Sequence, residues 1–436
     1  MTADEQTTRA DLVSLSRRHV WPPYTSPERH ESADPLVIVD ADGSWLIDAD
    51  GRRYLDGISS WWACTLGHRH PRLVRALVDQ LQHLDHVGAG GAIHPAVARL
   101  AAELVAVAPA GLTRVHFSDD GSTAVEVAVK IAFQYWQQSG RPGRRRFLTL
   151  GGAYHGDTLG AASLAGVTEF FGVFAPLLFD VLRAPADGVW DETLARVEQL
   201  AHAHADELAG VVVEPLLQGA GGMRFMPVDA LRRLREITRD IDTFMIADEV
   251  FTGYGRTGTM WACDQAQISP DLLCVAKGFT GGVTPMAATL ATERIYDGFR
   301  ARPGHPNRAL MHGHTFCGHP LGAAVAREVL SIYRDEHILD GIVSRAAAIA
   351  RCIEGLRAVP GVARARSLGM VGAVDLGSSG YLGAAGPRFY EAALRRGLYL
   401  RPLGDTVYLC PPFTISEADL AQLLDGFAGA VTDALS

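Results

Sequence analysis

The sequence lacks the marks of several protein classes. Its six cysteines, at Cys64, Cys263, Cys274, Cys317, Cys352 and Cys410, form no C-x-x-C pair, which argues against a disulfide scaffold and for reduced thiols. Basic residues number 40 against 49 acidic ones, for a net charge of −9, and the only basic cluster is RPGRRRF. A chain that binds nucleic acid carries a basic face, so nucleic acid is not an expected partner. No apolar run approaches the length of a membrane span, and the polar start MTADEQTTRADL has no apolar signal core, so the expectation is a cytosolic protein without membrane contact. Internal repeats and low-complexity segments are missing. So is a dinucleotide fingerprint: in GYGRTG, Arg256 stands where that loop needs close backbone approach.

What the chain does have is apolar sequence, 48% of 436 residues, enough for one large domain and a smaller one. The stretch from Phe244 to Phe279 organises the rest. Its two apolar runs, Phe244–Ala247 and Leu272–Ala276, have the length of buried strands and end at Asp248 and Lys277. A third, LAGVVVEP, ends at Glu214, and helical stretches between them give the β-α-β alternation of a doubly wound sheet. Ligands of such sheets sit outside the carboxyl ends of the strands, so the acid and the amine would face one pocket. A desolvated lysine becomes a carbonyl-seeking nucleophile, and an ionised aspartate holds a proton on a heteroaromatic nitrogen. Those are the two contacts that pyridoxal phosphate most needs. A loop cap and a solvated strand end remain the alternative on these residues alone.

Taken in order, HVWPPYTSP presents Trp21 and Tyr24 around prolines that forbid a helix. PLVIVDADGSWLIDADGRRYLDG reads as a small antiparallel meander. In SSWW, Trp61 and Trp62 would point to opposite faces of a strand or both be open to a ligand in a loop. His68 and His70 have a spacing that some metal sites use, yet no metal is assigned. Gly121, Ser122 and Thr123 open a long helix, where free N–H groups suit either an anion or an ordinary cap. Tyr154 in GGAYHGDT can stack on a planar ring or fill the core, and Asp157 is read as serving the turn. His312, His314, Cys317 and His319 look like a metal cluster, but the glycines after His312 and Cys317 suit a phosphate loop better. From about Ser331 a long amphipathic helix begins an α+β cap that contains Arg401, whose planar fork matches a carboxylate.

ADEVFTGYGRTG followed by SPDLLCVAKGFTGG resembles the class III, fold-type I aminotransferases, and the likeness runs from about His19 to about Pro412. It implies an α/β fold: a large domain with a mostly parallel seven-stranded sheet flanked by helices, over 71–330, and a smaller α+β domain from both termini, 1–70 and 331–436. It implies pyridoxal 5'-phosphate, with Lys277 joined to the cofactor aldehyde and Asp248 on the pyridinium nitrogen. Gly121 and Ser122 would cup the phosphate, Asp120 standing where a serine is common, and Tyr154 would cover the ring and touch substrate. In HGHTF, Thr315 would reach the phosphate of the neighbouring subunit, with His314 beside it and Gly313 near substrate, so a homodimer with its active site at the interface is expected. H-x-W-x-P-Y, SSWW and LRPLGDTVYLCPP are similar to the biotin-pathway branch of the family. By that likeness Tyr24, Trp61, Trp62 and Arg401 line the substrate pocket together with Tyr154, Gly313 and Lys277, and Tyr24 joins Lys277 and Asp248 among the catalytic residues. The implied reaction moves an amino group from S-adenosylmethionine, or from lysine in some relatives, to 7-keto-8-aminopelargonate. HGHTF occurs across class III, so this loop does not mark the branch. Enzymes acting on ornithine or other ω-amino acids are alternatives, as is a pyridoxal-phosphate aminomutase, which the tryptophan pair argues against.

Overall fold

Leu208–Val213 and Phe244–Asp248 are buried at every position, which a strand achieves only when both faces of its sheet are covered. The computed structural model describes residues 7–186, 188–305, 307–377 and 383–436; the polar start at 1–6 lies outside them. Three short strands, β1 (Ile38–Asp42), β2 (Trp45–Asp48) and β3 (Arg53–Asp56), form the antiparallel meander expected from the DG turns. The central strands follow: β4 (Leu112–Ser118), β5 (Arg146–Leu150), β6 (Leu182–Ala184), β7 (Leu208–Val213), then a small hairpin of β8 (Leu217–Gln218) and β9 (Arg224–Phe225), then β10 (Phe244–Asp248), β11 (Leu272–Val275) and β12 (Ala287–Thr292).

Seven of these make one sheet in the order β4-β12-β11-β10-β7-β5-β6. Neighbours from β11 to β6 pair in parallel, and β12 runs antiparallel to both β11 and β4. Asp248 lies opposite Cys274 in the β10–β11 register, so the ends of these two strands open on the same edge. The ends of β4, β5 and β7 lead there too.

A buried ion pair fixes part of this sheet. The helix Val228–Asp240 turns Ala230, Leu231, Leu234 and Ile237 inward, the spacing of an amphipathic helix, and Arg235 is buried with them. Its guanidinium donates to Asp271 at 2.5 and 3.3 Å, and the same carboxylate accepts the Met245 N–H at 2.9 Å, tying helix, β10 and the start of β11 together. Arg235→Ala leaves that carboxylate buried without its cation, and should cost about 3 kcal/mol in urea unfolding.

The remaining strands are β13 (Val362–Leu368), β14 (Val371–Leu376), β15 (Leu398–Tyr399) and β16 (Thr406–Leu409). β13, β14 and β16 make a three-stranded sheet. β15 pairs in parallel with β3, Leu398 against Leu55 and Tyr399 against Asp56, so late sequence completes the early sheet. The single long helix expected from about Ser331 is two helices, Pro320–Asp335 and Ile338–Leu356. His337 between them has φ +51, a left-handed residue that turns the chain. No described helix is long and apolar enough to cross a membrane.

Candidate active site

The ends of β4, β5, β7, β10 and β11 surround a cavity of about 700 Å³ whose walls include Gly121, Ser122, Tyr154, Glu214, Asp248 and Lys277. This is the carboxyl edge where open α/β sheets bind ligands. Lys277 follows β11 in a left-handed conformation, φ +50, which a lysine adopts only when its surroundings hold it there. Its Nζ lies 5.0 Å from the ring centre of Trp62 and 5.9 Å from that of Phe251. Burial lowers its pKa, against the pull of the Asp248 and Glu214 charges, so the neutral, nucleophilic amine is favoured.

Asp248 is 5% exposed and bonded to the backbone N–H of Val250 at 3.1 Å and to His155 Nδ1 at 2.7 Å. Burial opposes a charge on His155, but the hydrogen bond to Asp248 and the Asp248 and Glu214 charges outweigh it, and its pKa is raised. The short His155–Asp248 bond therefore favours a proton on the imidazole. Glu214 goes the other way: burial, helped by Asp248, pushes it up to about 7, while its oxygens accept the N–H groups of Tyr154 and Gly219 at 3.0 and 2.9 Å.

At the β4 end, the helix Gly121–Gln138 starts with Asp120 as its cap, accepting the Thr123 N–H at 2.9 Å. The first N–H groups of a helix have no partner within it; Asp120 takes that of Thr123 and leaves those of Gly121 and Ser122, both on the cavity wall. A Cβ on Gly121 would meet Val250 Cγ1 at 2.6 Å, so only glycine fits. Ser122 Oγ accepts the Thr158 N–H at 3.0 Å and bonds Thr158 Oγ1 at 2.8 Å.

Beside the cavity stands an aromatic and charged shelf. Tyr24 and Tyr154 both donate to Asp157 at 2.7 Å, and Tyr24 packs 6.1 Å from Trp61 between ring centres. The Arg401 guanidinium lies 4.4 Å over Trp61. Asp157, read from sequence as a turn residue, is instead the acceptor that joins the two tyrosines. The tryptophan pair sits in neither a strand nor an open loop: Ser59, Ser60, Trp61 and Trp62 have φ of +50, +44, +66 and +75, four consecutive left-handed residues at roughly 1–2 kcal/mol each. That turn splits the pair, leaving Trp61 42% exposed while Trp62, 4% exposed, stacks on Phe251 and donates from Nε1 to Tyr408 Oη at 3.0 Å.

Six residues expected at the site are not among those lining the cavity: Tyr24, Trp61 and Arg401 form the shelf beside it, and Gly313, His314 and Thr315 lie apart. Gly313 and Thr315 do not line the cavity of their own chain, and His314 reaches its rim, where Nδ1 bonds Asp119 Oδ2 at 2.8 Å. His312 bonds Lys130 Nζ at 3.0 Å, and among the described residues no group of His, Cys, Asp or Glu could hold a metal ion. His155, on the cavity wall and bonded to Asp248, carries no signal of that role in the sequence, nor does Arg256, which supports the tryptophan turn from behind. Arg256 is buried and donates to Pro411 O at 2.9 Å and Ser59 Oγ at 3.3 Å, contacts between segments more than 150 positions apart that no local pattern signals.

The class-III aminotransferase family model matches residues 26–431. The chain belongs to that family. Curated relatives named adenosylmethionine-8-amino-7-oxononanoate aminotransferase are 43% identical in Nitratidesulfovibrio vulgaris, over 97% of this chain and 82% of that one, and 43% identical in Synechococcus elongatus, over 95% and 98%. The crystal structure of the enzyme of that name from Methanocaldococcus jannaschii superposes with a TM-score of 0.93 at 34% identity, covering 96% of this chain and 98% of that one. An amine transaminase from an uncultivated Pseudomonas species, solved in its PLP-bound form, gives 0.88 at 33% identity, with 94% and 98% covered. The fold is thus that of the fold-type I transaminases, and the protein is a pyridoxal-phosphate aminotransferase acting on small molecules. The cavity suits the cofactor on its own chemistry: helix N–H groups beside a glycine that leaves room for an anion, a buried carboxylate, and a desolvated amine on one strand edge.

Proposed function

We propose that this enzyme transfers an amino group from S-adenosylmethionine to 7-keto-8-aminopelargonate, giving 7,8-diaminononanoate in biotin biosynthesis. The observation that carries this reading is the shelf of Tyr24, Trp61 and Arg401 beside the Lys277 cavity, a carboxylate-matching fork at one end of an aromatic wall. Relatives carrying that enzyme's name at up to 43% identity support it.

In this reading the bound cofactor supplies an aldehyde for amino groups and a ring that draws electrons from the reacting carbon. Lys277 is the amine that would meet that aldehyde, and as a free amine it would hold and move the proton at the reacting carbon. Asp248, held by His155, keeps a proton on the ring nitrogen. Gly121 and Ser122 hold the phosphate, and Tyr154 covers the ring. Trp61 and Trp62 exclude water along the apolar chain of the acceptor, Tyr24 orients it with Asp157, and Arg401 takes its carboxylate. Arg401→Ala should raise KM for the amino-oxo acid about 30-fold with kcat little changed, in steady-state assays that vary the acceptor.

We assign Gly313, His314 and Thr315 to the cavity of a second copy in a homodimer. Met311 and Phe316 in the same loop stay 80% and 54% exposed, apolar surface that a partner would cover. We also divide the chain into a large domain, 71–330, and a small domain of 1–70 and 331–436, supported by the pairing of β15 with β3. Six free thiols suit a reducing compartment, and we place the enzyme in the cytoplasm.

The decisive experiment incubates the purified holoenzyme with 7-keto-8-aminopelargonate and either S-adenosylmethionine or lysine, and detects 7,8-diaminononanoate by mass spectrometry. Product with S-adenosylmethionine is expected. Product with lysine alone would replace the donor, and transfer only to 2-oxoglutarate would overturn the biotin assignment.

A further inference from the structure

The strained turn Ser59–Trp62 needs an anchor, and the structure supplies one from residues that no step above uses. Asp56, at the end of β3, is 1% exposed. Its Oδ2 accepts from Ser60 Oγ at 2.7 Å and meets His68 Nε2 at 2.8 Å, while Oδ1 accepts the Ile58 N–H at 3.3 Å. His68 is itself fixed, exchanging backbone hydrogen bonds with Gly43 of the β1–β2 turn at 2.7 and 3.2 Å. Burial works against a charge on this imidazole, but hydrogen bonds with Asp56 and with the neighbouring Cys64 thiol prevail and raise its pKa to about 10. The histidine whose spacing some metal sites use is bonded instead to the buried Asp56, which favours its protonated form.

Both partners of that pair reach Ser60, the His68 Nε2 at 3.5 Å, and Ser60 is the residue before Trp61. Ser59 is held separately, through Cys410 O at 2.8 Å and Arg256, and Trp62 through Tyr408. Trp61 itself touches Tyr24 and Arg401, neither of which holds the backbone. We infer that Asp56, His68 and Ser60 form a positioning clasp that keeps Trp61 against Arg401, and that this clasp, acting through Trp61 and without touching substrate itself, tunes the affinity for the long amino-oxo acid. The inference rests on the substrate reading proposed above.

The test is a double-mutant cycle in the holoenzyme. His68→Ala should raise KM for 7-keto-8-aminopelargonate about tenfold with kcat within about twofold, and His68→Gln, which keeps an N–H for Asp56, should recover most of that rise. In a Trp61→Ala background the same His68→Ala change should add less than about twofold, because the side chain it positions is gone. Effects that multiply in full, or a fall in kcat with KM unmoved, would overturn the clasp. Near-UV circular dichroism gives a readout that needs no substrate. His68→Ala should lose part of the tryptophan signal, His68→Gln should keep it, and Trp61→Ala should be insensitive to the second change. If the wild type does not aminate the amino-oxo acid, the substrate reading fails by itself, and an unaltered tryptophan spectrum in His68→Ala then decides against the clasp.

Discussion

Lys277→Ala is expected to abolish amino transfer, with kcat falling by more than about 10⁴-fold, while the protein stays folded. Among the described residues that line the cavity Lys277 is the one amine, so none of them can take over its attack or its proton transfer. Its charge is disfavoured where it stands: burial lowers its pKa, and its Nζ lies 5.0 and 5.9 Å from the ring centres of Trp62 and Phe251. Removing an amine held in a left-handed residue should leave the melting temperature within about 4 °C of the wild type. The helix N-terminus and the Tyr154 shelf are untouched in the variant, so it should still bind pyridoxal phosphate, measured by equilibrium dialysis. Amino transfer above about 1% of the wild-type rate would remove the covalent role assigned to this residue.

Why this residue was legible in the sequence, and others were not, has a physical reason. A parallel strand covered on both faces writes itself as an unbroken apolar run, and its end is marked by the first polar residue. That placed Asp248, Lys277 and Glu214 on one edge without any contact being known. The Gly121 turn was legible for a similar reason, because helix starts and glycines are local features. The backbone of Trp61 and Trp62 was not legible, since nothing in S-S-W-W favours four left-handed residues; the turn exists because Asp56, Arg256, Tyr408 and Cys410 hold it from outside. Asp157 was assigned to its own turn because its partner Tyr24 is 133 positions away. His155 was passed over because the Asp248 it supports is 93 positions distant. In HGHTFCGH, the fold sends His312 to Lys130 and His314 to Asp119, partners more than 180 positions away that no local pattern signals.

Asp248→Asn should lower kcat by about 10³-fold, the scale seen when a preorganised charge is removed from a buried site. The substitution keeps size and shape, and its amide oxygen can still accept the Val250 N–H now received at 3.1 Å. What it removes is the negative charge that stabilises a proton on the ring nitrogen, and with it the bond and charge that raise the His155 pKa. In the wild type, burial alone would lower the His155 pKa, and the bond and charge of Asp248 raise it. An asparagine amide turned toward Nδ1 donates a hydrogen, so it requires the neutral imidazole as acceptor. His155 should therefore lose its proton, and the low-field Nδ1–H resonance of a charged imidazole should vanish from the proton NMR spectrum. The sign of the stability change follows. A histidine with a raised folded pKa contributes stability that is complete below its unfolded pKa of about 6.5 and fades as pH climbs through the folded value. The variant forfeits that contribution and must also keep a neutral histidine where the unfolded chain would protonate it, so its deficit in urea unfolding should be larger at pH 5 than at pH 9. A deficit that grows with pH, or turnover within tenfold of the wild type, would show that Asp248 does not hold the pair as an ion pair and that the ring is activated from elsewhere.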